Sequence, residues 1–475
     1  MDNKRIIIFG AGPTGLSAGY QLTKRGVETI VLEKENYVGG ITRTVVKNGY
    51  RFDLGGHRFF TKNDEIIIFV KEVMGDELVP TPRTSRIYFN GKYFNYPLTP
   101  FNALLNLGLG YTLKAITDYI IINFKTLIKE PKIVSLEDWV VSQFGRTLFE
   151  IFFRPYTEKV WGIKCNQIAA EWAAQRIKGL SLASAIKNAL FKSKKGKPTT
   201  LIEEFYYPKL GIGRIPERLQ EEINKKNQVL LNNNVIEIKH QNNEVFSVDT
   251  IFNGSKHTYS GTNFLSSIPL TELILKLSPA PPQEVLISAK SLKYRELMTV
   301  HFMINAEQVT KDTWIYIQDP DITFGRIHEP KNWSRYMAPE DKTNLVVEYF
   351  CFEGDEIWSM DDKDLIKLTI DELTEKLNFL DKNLILDAFV VRTKKAYPMY
   401  QIGFREHFNR VREYIKQFNN LQVMGRYGMY KYNNIDHCIE TALRAVDNIF
   451  GANYDLYEIN KEPEYHEIKY TKQGL

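Results

Sequence analysis

The order of apolar and polar residues at the start of the chain predicts a strand, a helix and a second strand. Residues 6–9 form an unbroken apolar run, and in the segment 29–32 three apolar residues follow Thr29. Short apolar runs bounded by turn residues are typical of buried strands in a parallel sheet. The stretch between them opens with a glycine-rich turn and leads into a helix, so we expect a βαβ unit.

The glycine-rich turn after the first strand has the residues of a phosphate-binding loop. Its glycines permit a tight turn, and the following helix can direct its N-terminal amides at a pyrophosphate. Glu33 ends the second strand about 20 residues later, the spacing at which an acidic side chain accepts hydrogen bonds from an adenosine ribose. The residues of the predicted loop are Gly10, Gly12, Pro13, Thr14 and Gly15.

Two further glycine pairs indicate a flavin. Gly39 and Gly40 allow a second close approach of backbone to cofactor, which plain nicotinamide-binding domains do not need. Gly55 and Gly56 follow, with His57 directly after them. The combination predicts bound FAD. Further cofactor contacts are expected from Lys34, Thr42, Arg43 and Val235.

The next segments predict a hairpin and then a helical region. Residues 87–94 alternate around an Asn-Gly pair, which is typical of a two-residue hairpin turn. Ser135 with Asp138 three residues later predicts a capped helix start. Helical periodicity continues to residue 190, and residues 192–198 are expected to form a basic exposed loop. The buried face of the capped helix is predicted to contain Leu136, Trp139, Val140 and Phe144.

Strand patterns return in the second half of the chain. We expect strands at 235–238, 245–251 and 264–267, then at 300–304, 314–317 and 345–350. A short strand at 421–424 is expected to rejoin the first sheet, and a helix is expected at 435–449.

These elements predict an α/β protein: a Rossmann-type FAD-binding domain of the glutathione-reductase-like kind, an inserted helical lobe and a substrate domain built on an antiparallel sheet. We assign the FAD-binding domain to residues 1–95, 201–290 and 416–455. The helical lobe takes residues 96–200, the sheet-rich substrate domain takes 291–415, and residues 456–475 form a polar tail.

Composition narrows the function classes. The chain has 475 residues with a net charge of +5 from well-mixed acidic and basic residues, which suits an anionic small ligand and argues against nucleic acid. Three isolated cysteines and scattered histidines predict no disulfide framework and no metal site. Residues 101–129 are the most apolar stretch, but charges interrupt them, so we expect buried or half-buried helices and consider membrane contact unlikely. With no apolar signal segment at its start, the chain is expected to be cytoplasmic.

Several spaced motifs resemble those of the flavin-dependent UDP-galactopyranose mutases, in particular their eukaryotic-type branch, within the protoporphyrinogen oxidase and amine oxidase superfamily. The similar segments are Gly55-Gly56-His57, Arg154-Pro155-Tyr156-Thr157-Glu158-Lys159-Val160-Trp161, Trp314-Ile315-Tyr316 followed by Arg326, Tyr397-Pro398, and Gly425-Arg426-Tyr427-Gly428 followed by Tyr432, Asn434, Asp436 and His437. The chain departs from the family pattern at Thr157, where the motif has asparagine, and at Ala396, where it has glycine. These departures leave the sugar and nucleotide open.

The resemblance implies a UDP-sugar substrate whose pyranose and furanose forms are interconverted without net redox change. Reduced flavin would attack the anomeric carbon through N(5), and NAD(P)H is a possible reductant. The family's substrate residues map onto Arg154 and Arg326, which would grip the diphosphate, and onto Trp314, Tyr316, Tyr397, Tyr432 and Asn434. Its flavin residues map onto His57 beside the ring, Arg426 near the polar edge, and Gly425, Asp436 and His437.

The residues also leave simpler interpretations open. Arg154 could be only an ion-pair partner of Glu158 at i+4, and His57 could be a satisfied core histidine. His437 could be a packing residue at a helix start. A true flavin oxidoreductase of the protoporphyrinogen oxidase or amine oxidase type is the main alternative function, and a flavin-bearing protein that only binds partners is a third. The oligomeric state is not predicted.

Overall fold

The computed structural model describes residues 4–96, 109–128, 131–172 and 204–461. The strands, in chain order, are β1 Arg5–Phe9, β2 Glu28–Leu32, β3 Thr44–Lys47, β4 Tyr50–Asp53, β5 Leu78–Pro82, β6 Ser85–Phe89, β7 Lys92–Asn95, β8 Glu204–Pro208, β9 Gln228–Leu230, β10 Asn234–Gln241, β11 Glu244–Phe252, β12 Ser255–Ser260, β13 Asn263–Ser266, β14 Leu277–Ser278, β15 Tyr294–Ile304, β16 Trp314–Ile317, β17 Arg326–His328, β18 Thr343–Cys351, β19 Ile385–Pro398 and β20 Leu421–Val423.

The helices are α1 Pro13–Lys24, α2 Asp64–Met74, α3 Leu109–Ile128, α4 Leu136–Phe144, α5 Arg146–Leu148, α6 Arg154–Trp161, α7 Arg214–Ile223, α8 Leu270–Leu275, α9 Gln283–Ser291, α10 Glu356–Ser359, α11 Asp362–Asp371, α12 Phe404–Ile415, α13 Gly425–Gly428 and α14 Ile435–Ile449. Short 3₁₀ turns occur at Gly40–Thr42, Gly75–Glu77, Cys165–Gln167, Pro330–Asn332, Arg335–Met337, Lys382–Leu384 and Leu456–Glu458, and π-helical turns at Phe149–Phe153 and Glu372–Lys376.

A five-stranded parallel sheet, ordered β20-β13-β1-β2-β9, confirms the predicted βαβ unit. The apolar residues of β1 are fully buried, and α1 packs beside α7 and α14. The strand predicted at 421–424 pairs with β13 in this sheet, and the helix predicted at 435–449 has those bounds. The strands predicted at 235–238 and 245–251 exist, but they form a separate sheet, ordered β12-β11-β10-β14, which shares the hydrophobic core of the first.

A seven-stranded sheet, ordered β19-β15-β18-β17-β16-β6-β7, contains the strands predicted between residues 295 and 350. Two expectations need correction here. The sheet is not wholly antiparallel, because β16 pairs in parallel with β6. The hairpin β6–β7 has its turn at Asn90 and Gly91, as predicted. It extends this seven-stranded sheet, so the assignment of residues 1–95 to the cofactor domain is wrong for the hairpin. Strands from both sides of the helical segment therefore build the sheet.

The helical lobe contains α3 to α6 among the described residues. Ser135 caps α4 as predicted: its hydroxyl accepts from the Asp138 amide while the Asp138 carboxylate accepts from the Ser135 amide. Leu136, Val140 and Phe144 are buried and Trp139 is half-buried. The predicted helical periodicity at 173–190 and the predicted basic loop at 192–198 lie outside the described residues.

Two expectations at the edges of the fold were wrong. Leu113, Phe124 and Leu127 of α3 are exposed, although we expected this apolar stretch to be buried or half-buried. The predicted tail begins with residues that are packed, because the buried ammonium of Lys431 donates to the carbonyls of Tyr457 and Ile459, at 2.8 and 2.5 Å. None of the helices in the described part of the chain combines the length and apolar composition of a membrane span.

Candidate active site

The first glycine turn is shaped by close packing behind it and open space in front of it. Gly10 has φ +93°, in the region that favours glycine, and a Cβ on Gly15 would lie 1.9 Å from the Gly10 carbonyl oxygen. A Cβ on Gly12 would meet no atom within 4 Å, and Gly12 lines a cavity. Pro13 and Thr14 begin α1 beside it. The N-terminus of α1 is thus open to a bound anion, as phosphate binding requires.

The acidic residue that ends β2 lies at the same cavity. The buried carboxylate of Glu33 accepts hydrogen bonds from the amides of Ala11, at 2.7 Å, and Glu35, at 3.0 Å. Burial raises the pKa of Glu33, although these two amides lower it. The second glycine turn follows with φ +101° at Gly39 and +54° at Gly40, so both positions require left-handed backbone.

One cavity of about 810 Å³ connects these turns to the seven-stranded sheet. This volume is large for a small-molecule pocket, since such pockets measure roughly 300–1,000 Å³. Of the residues predicted from the sequence, the cavity is lined by Gly10, Gly12, Pro13, Thr14, Glu33, Lys34, Gly39, Gly40, Thr42, Arg43, Gly55, Gly56, His57, Val235, Trp314, Tyr316, Arg326, Tyr397, Arg426, Tyr432 and Asn434.

Four predicted cofactor residues do not line the cavity but lie behind it. Gly15 lets its helix approach the Gly10 backbone, and Gly425 makes room for the Thr14 side chain, since a Cβ on Gly425 would lie 2.2 Å from the Thr14 hydroxyl. Asp436 and His437 are buried in the first turn of α14. His437 accepts a hydrogen bond from the Asn434 amide through Nδ1 at 3.3 Å, so it caps the helix. The simpler interpretation of His437 as a packing residue at a helix start did not include this hydrogen bond.

Arg154 also lies outside the cavity. Its side chain is exposed on α6, where Nη1 donates to Glu150 at 2.5 Å and Nε lies 3.7 Å from Glu158. Tyr156 and Thr157 of the same helix do line the cavity. On α6, Arg154 therefore faces the carboxylates of Glu150 and Glu158, which lie one turn before and one turn after it. The structure does not bring Arg154 together with Arg326.

Arg326 lies in the cavity wall and is held by a buried carboxylate. Its Nε donates to Oε1 of Glu348 at 2.8 Å and its Nη2 donates to Oε2, which leaves Nη1 outside the ion pair and near Gly56. Burial would raise the pKa of Glu348, but Arg326 and His328 lower it to about 2. Burial also works against the charge of Arg326, yet Glu348 raises the arginine's pKa above its ordinary value. Both groups are therefore ionised.

His57 is neutral in this setting. Burial is the main cause that lowers its pKa to about 4, and Arg426 and Arg326 add to the effect while Glu348 opposes it. Its buried Nε2 has no hydrogen-bond partner among the described residues, and the same holds for Nε1 of Trp314 and the hydroxyl of Tyr427. All three residues line the cavity, so a bound ligand could satisfy these atoms.

Aromatic rings and a second arginine form the remaining wall. Tyr397 and Tyr432 are stacked with ring centroids 5.9 Å apart, and the guanidinium of Arg426 lies 5.0 and 4.0 Å from their centroids. The nitrogens of Arg426 donate to the carbonyls of Ala396 and Asn433 at 3.0–3.2 Å. Carbonyls rather than carboxylates thus hold this cation, so its charge stays available to the cavity.

Sequence reasoning missed three residues of the site and did not assign them roles. Glu348 is the partner of Arg326, and a carboxylate inside the apolar run 345–350 was the signal that could have revealed it. Arg58 lies 5.1 Å from the Trp314 ring centroid, and Tyr156 meets Tyr316 edge to face at 5.5 Å. Arg58 directly follows the motif residue His57, and Tyr156 belongs to the motif at 154–161, in which only Arg154 was assigned a role.

Comparison with known proteins identifies the family. A family model described as flavin containing amine oxidoreductase matches residues 13–450, so the chain belongs to this family. The chain is 27% identical over 175 residues to a probable UDP-galactopyranose mutase of Klebsiella pneumoniae, covering 36% of this chain and 44% of that protein. It is 27% identical over 267 residues to a 1-hydroxycarotenoid 3,4-desaturase of Flavobacterium sp., covering 52% and 54%. These matches therefore span about half or less of the two relatives.

Other similarities extend over nearly the whole chain. A coproporphyrinogen III oxidase of Staphylococcus aureus is 21% identical over 477 residues, covering 94% of this chain and 99% of that protein. A crystal structure of reduced UDP-galactopyranose mutase superposes with a TM-score of 0.82 at 21% identity, covering 98% and 97%. A putative protoporphyrinogen oxidase from Exiguobacterium sp. gives 0.72 at 17% identity, covering 94% and 99%. At these identities, the structures show the fold.

The protein is a flavin-dependent enzyme of the amine oxidase superfamily, and its cofactor is FAD. The residues present fit this group. The open face of Gly12 at the start of α1 suits the pyrophosphate, and Glu33 at the end of β2 suits the ribose. The unpartnered polar atoms of His57 and Tyr427 lie farther along the same cavity, where an isoalloxazine would need hydrogen-bond partners.

Proposed function

We propose that this enzyme is a mutase of the UDP-galactopyranose mutase type, which interconverts the pyranose and furanose forms of a nucleotide sugar. The observation that carries the proposal is the position of Arg326, an ionised arginine with one edge outside its ion pair, in a cavity whose wall also contains several tyrosines. A diphosphate needs such charged and neutral donors. The similarity to the Klebsiella protein and to the reduced mutase structure supports the same conclusion.

In this proposal the chain's own residues hold the leaving group. Nη1 of Arg326 donates to a diphosphate oxygen, and the hydroxyls of Tyr316, Tyr397 and Tyr432 donate neutral hydrogen bonds to others. Trp314 and Asn434 complete the wall of the substrate site. Because Glu348 fixes the plane of the Arg326 guanidinium, the free edge keeps one direction, which favours a defined pose of the diphosphate.

Reduced flavin supplies a nucleophilic N(5) for the anomeric carbon, with NAD(P)H as the proposed source of electrons. Arg426 contributes a positive charge that no carboxylate neutralises in its hydrogen bonds, and such a charge favours an anionic flavin. Neutral His57 offers a hydrogen-bonding nitrogen rather than a proton at neutral pH. These two residues would tune the cofactor, while Arg326 acts on the substrate.

A flavin oxidoreductase of the porphyrinogen oxidase type is the second candidate. The observation that favours it is the match to coproporphyrinogen III oxidase over 99% of that protein's length. An amine substrate is less well suited to the site. The two stacked tyrosines that could cage an ammonium already face the guanidinium of Arg426, 4.0 Å from the Tyr432 ring centroid, so a second cation there would meet like charge.

The experiment is to incubate the FAD-loaded protein with UDP-galactofuranose, with and without dithionite, and to separate the products by chromatography. We expect conversion to the pyranose form only with dithionite. A parallel reaction supplies coproporphyrinogen III and oxygen without reductant. Porphyrin formation there, with no sugar conversion in either redox state, would replace the mutase proposal by the oxidase one.

A further inference from the structure

Lys159 is a half-buried cation between the helical lobe and the seven-stranded sheet. Its Nζ donates to four backbone carbonyls, those of Ile317 at 3.1 Å, Asp319 at 2.6 Å, Ile322 at 2.7 Å and Phe324 at 3.4 Å. Burial lowers the pKa of Lys159 to about 8, while Asp319 and Glu372 raise it. The ammonium form therefore predominates at neutral pH.

All four carbonyls lie in or beside one loop, residues 318–325, which joins β16 to β17. These are the strands that carry Trp314, Tyr316 and Arg326, and Tyr316 is paired in register with Arg326. The Ile317 amide donates to the Gly325 carbonyl at 2.9 Å, which closes the loop at its base. A displacement of this loop would therefore move the ends of both strands.

Lys159 also belongs to the cavity wall through its helix. Tyr156, one turn earlier on α6, lines the cavity and meets the Tyr316 ring edge to face at 5.5 Å. The ammonium thus joins the helix that presents Tyr156 to the hairpin that presents Tyr316 and Arg326. Carbonyl oxygens converging on an ammonium form charge-assisted hydrogen bonds, which are roughly twice as strong as neutral ones.

We propose that Lys159 is a positioning residue: by tying α6 to the loop 318–325, it fixes the spacing across which Tyr156 on one side and Tyr316 with Arg326 on the other face the substrate. The inference rests on the proposed function for the identity of that substrate, a uridine diphosphate derivative. The positioning itself concerns only the chain and is measurable without substrate.

The chain offers a matched control in Lys331. Its Nζ likewise donates to four carbonyls, those of Glu307, Pro339, Glu340 and Lys342, at 2.5–3.3 Å. Neither Lys331 nor any of these four residues lines the cavity. A purely structural effect of losing a carbonyl-bound ammonium should therefore be shared by Lys159→Met and Lys331→Met, whereas an effect on the site should be specific to Lys159→Met.

The test compares FAD-loaded wild type, Lys159→Met, Lys159→Arg and Lys331→Met by hydrogen exchange and by calorimetric titration with UDP. We expect Lys159→Met to exchange faster in peptides covering residues 317–328 and to bind UDP roughly tenfold or more weakly at unchanged flavin content. Lys159→Arg keeps a positive charge and hydrogen-bond donors, so its exchange rate and its affinity for UDP should be closer to those of wild type. Lys331→Met should bind UDP as wild type does.

Unchanged exchange in residues 317–328 of Lys159→Met would overturn the inference, and so would faster exchange with wild-type UDP affinity. If Lys159→Met does not fold, Lys159→Gln, which keeps a polar amide but loses the charge and much of the reach, carries the test. Weaker UDP binding in Lys159→Gln, with exchange changes confined to residues 317–328, then supports the inference, and wild-type behaviour of Lys159→Gln in both measurements overturns it. Failure of the wild type itself to bind UDP would instead contradict the proposed function, and the exchange result alone would then decide the role of Lys159.

Discussion

Arg326 and Glu348 face each other on neighbouring antiparallel strands and form a two-point ion pair in the wall of the flavin cavity. The carboxylate is fully buried. Because two of the three guanidinium nitrogens serve the carboxylate, Arg326 presents one nitrogen to a ligand. The pair as a whole is neutral, whereas the hydrogen bonds of Arg426 go to carbonyls, so Arg426 contributes a positive charge to the cavity wall.

Glu348→Gln should destabilise the protein strongly. Removing one partner of a buried ion pair leaves an uncompensated charge, which typically costs about 3–5 kcal/mol. The measurement is urea unfolding of the FAD-loaded variant at neutral pH. Asp371→Asn, which breaks the surface pair with Lys367, is the control and should change stability little. If both substitutions lowered the free energy of unfolding by the same small amount, Arg326 would have to form an ion pair or hydrogen bonds with another group in Glu348→Gln.

The stability difference between wild type and Glu348→Gln should also depend on pH. The folded-state pKa of Glu348, about 2, lies below the ordinary value of 4.5. Its contribution is therefore fully present above pH 4.5 and is lost as the pH falls toward 2. Unfolding measured at about pH 5 and about pH 3 should show a smaller difference at the lower pH. A difference that grows on acidification would contradict this assignment of charge.

Local patterns predicted several elements of the cofactor domain and of the helical lobe well, because each is encoded within a few residues. The apolar run of β1, the glycines around Gly12 and the capping pair Ser135 and Asp138 all have the predicted conformations. The sheet that receives the hairpin β6–β7 was not predictable in the same way. Its parallel partner β16 is more than two hundred residues away, and pairing at that distance leaves no local signature.

In the site, too, residues within local motifs were predictable, whereas contacts between distant segments were not. The motif resemblance assigned Tyr397 and Tyr432 to the substrate and Arg426 to the flavin, and the structure brings all three together. The partner of Arg326 depends on the register between β17 and β18, which a single sequence does not reveal. The position of Arg154 depends on the rotation of a helix whose neighbouring turns both offer it a glutamate.

His57 should not appear in the pH dependence of the reaction near neutrality. With a pKa of about 4, it stays neutral across the range in which most enzymes are assayed. His57→Gln should therefore change the rate without changing the shape of the profile between about pH 6 and about pH 8. The check is kcat and kcat/KM measured across that range for both proteins. Loss of a titration step near neutrality in the variant would show that a bound ligand raises the pKa of His57.

Gly12→Val should abolish FAD binding while the fold persists. The side chain would project into the open space at the start of α1, where we expect the cofactor's pyrophosphate to bind. Gly110→Val is the matched control, since a Cβ there also meets no atom within 4 Å but lies on the exposed surface of α3. The measurement is the absorbance of flavin released per protein after denaturation. Full flavin content in Gly12→Val would exclude a close approach of the cofactor to this turn.

Arg154 and Arg326 should differ sharply in their effect on the affinity for UDP. Arg154 is exposed and paired with Glu150 and Glu158, so Arg154→Ala should leave UDP binding close to wild type. Arg326→Lys keeps a positive charge beside Glu348. It lacks the planar guanidinium that can donate to the carboxylate and to a diphosphate at once, so the affinity for UDP should fall roughly tenfold. Calorimetric titration of both variants, each checked for flavin content, measures the contrast.

A larger loss of affinity in Arg154→Ala than in Arg326→Lys would mean that α6 rearranges when substrate binds and brings Arg154 to the diphosphate, as the motif resemblance implies. Glu150→Gln distinguishes the two cases. It releases Arg154 from its closest partner, 2.5 Å away, without altering the cavity wall. Tighter UDP binding in Glu150→Gln would support a rearrangement in which ion pairing on the surface competes with substrate, whereas unchanged binding would confirm that Arg154 acts outside the site.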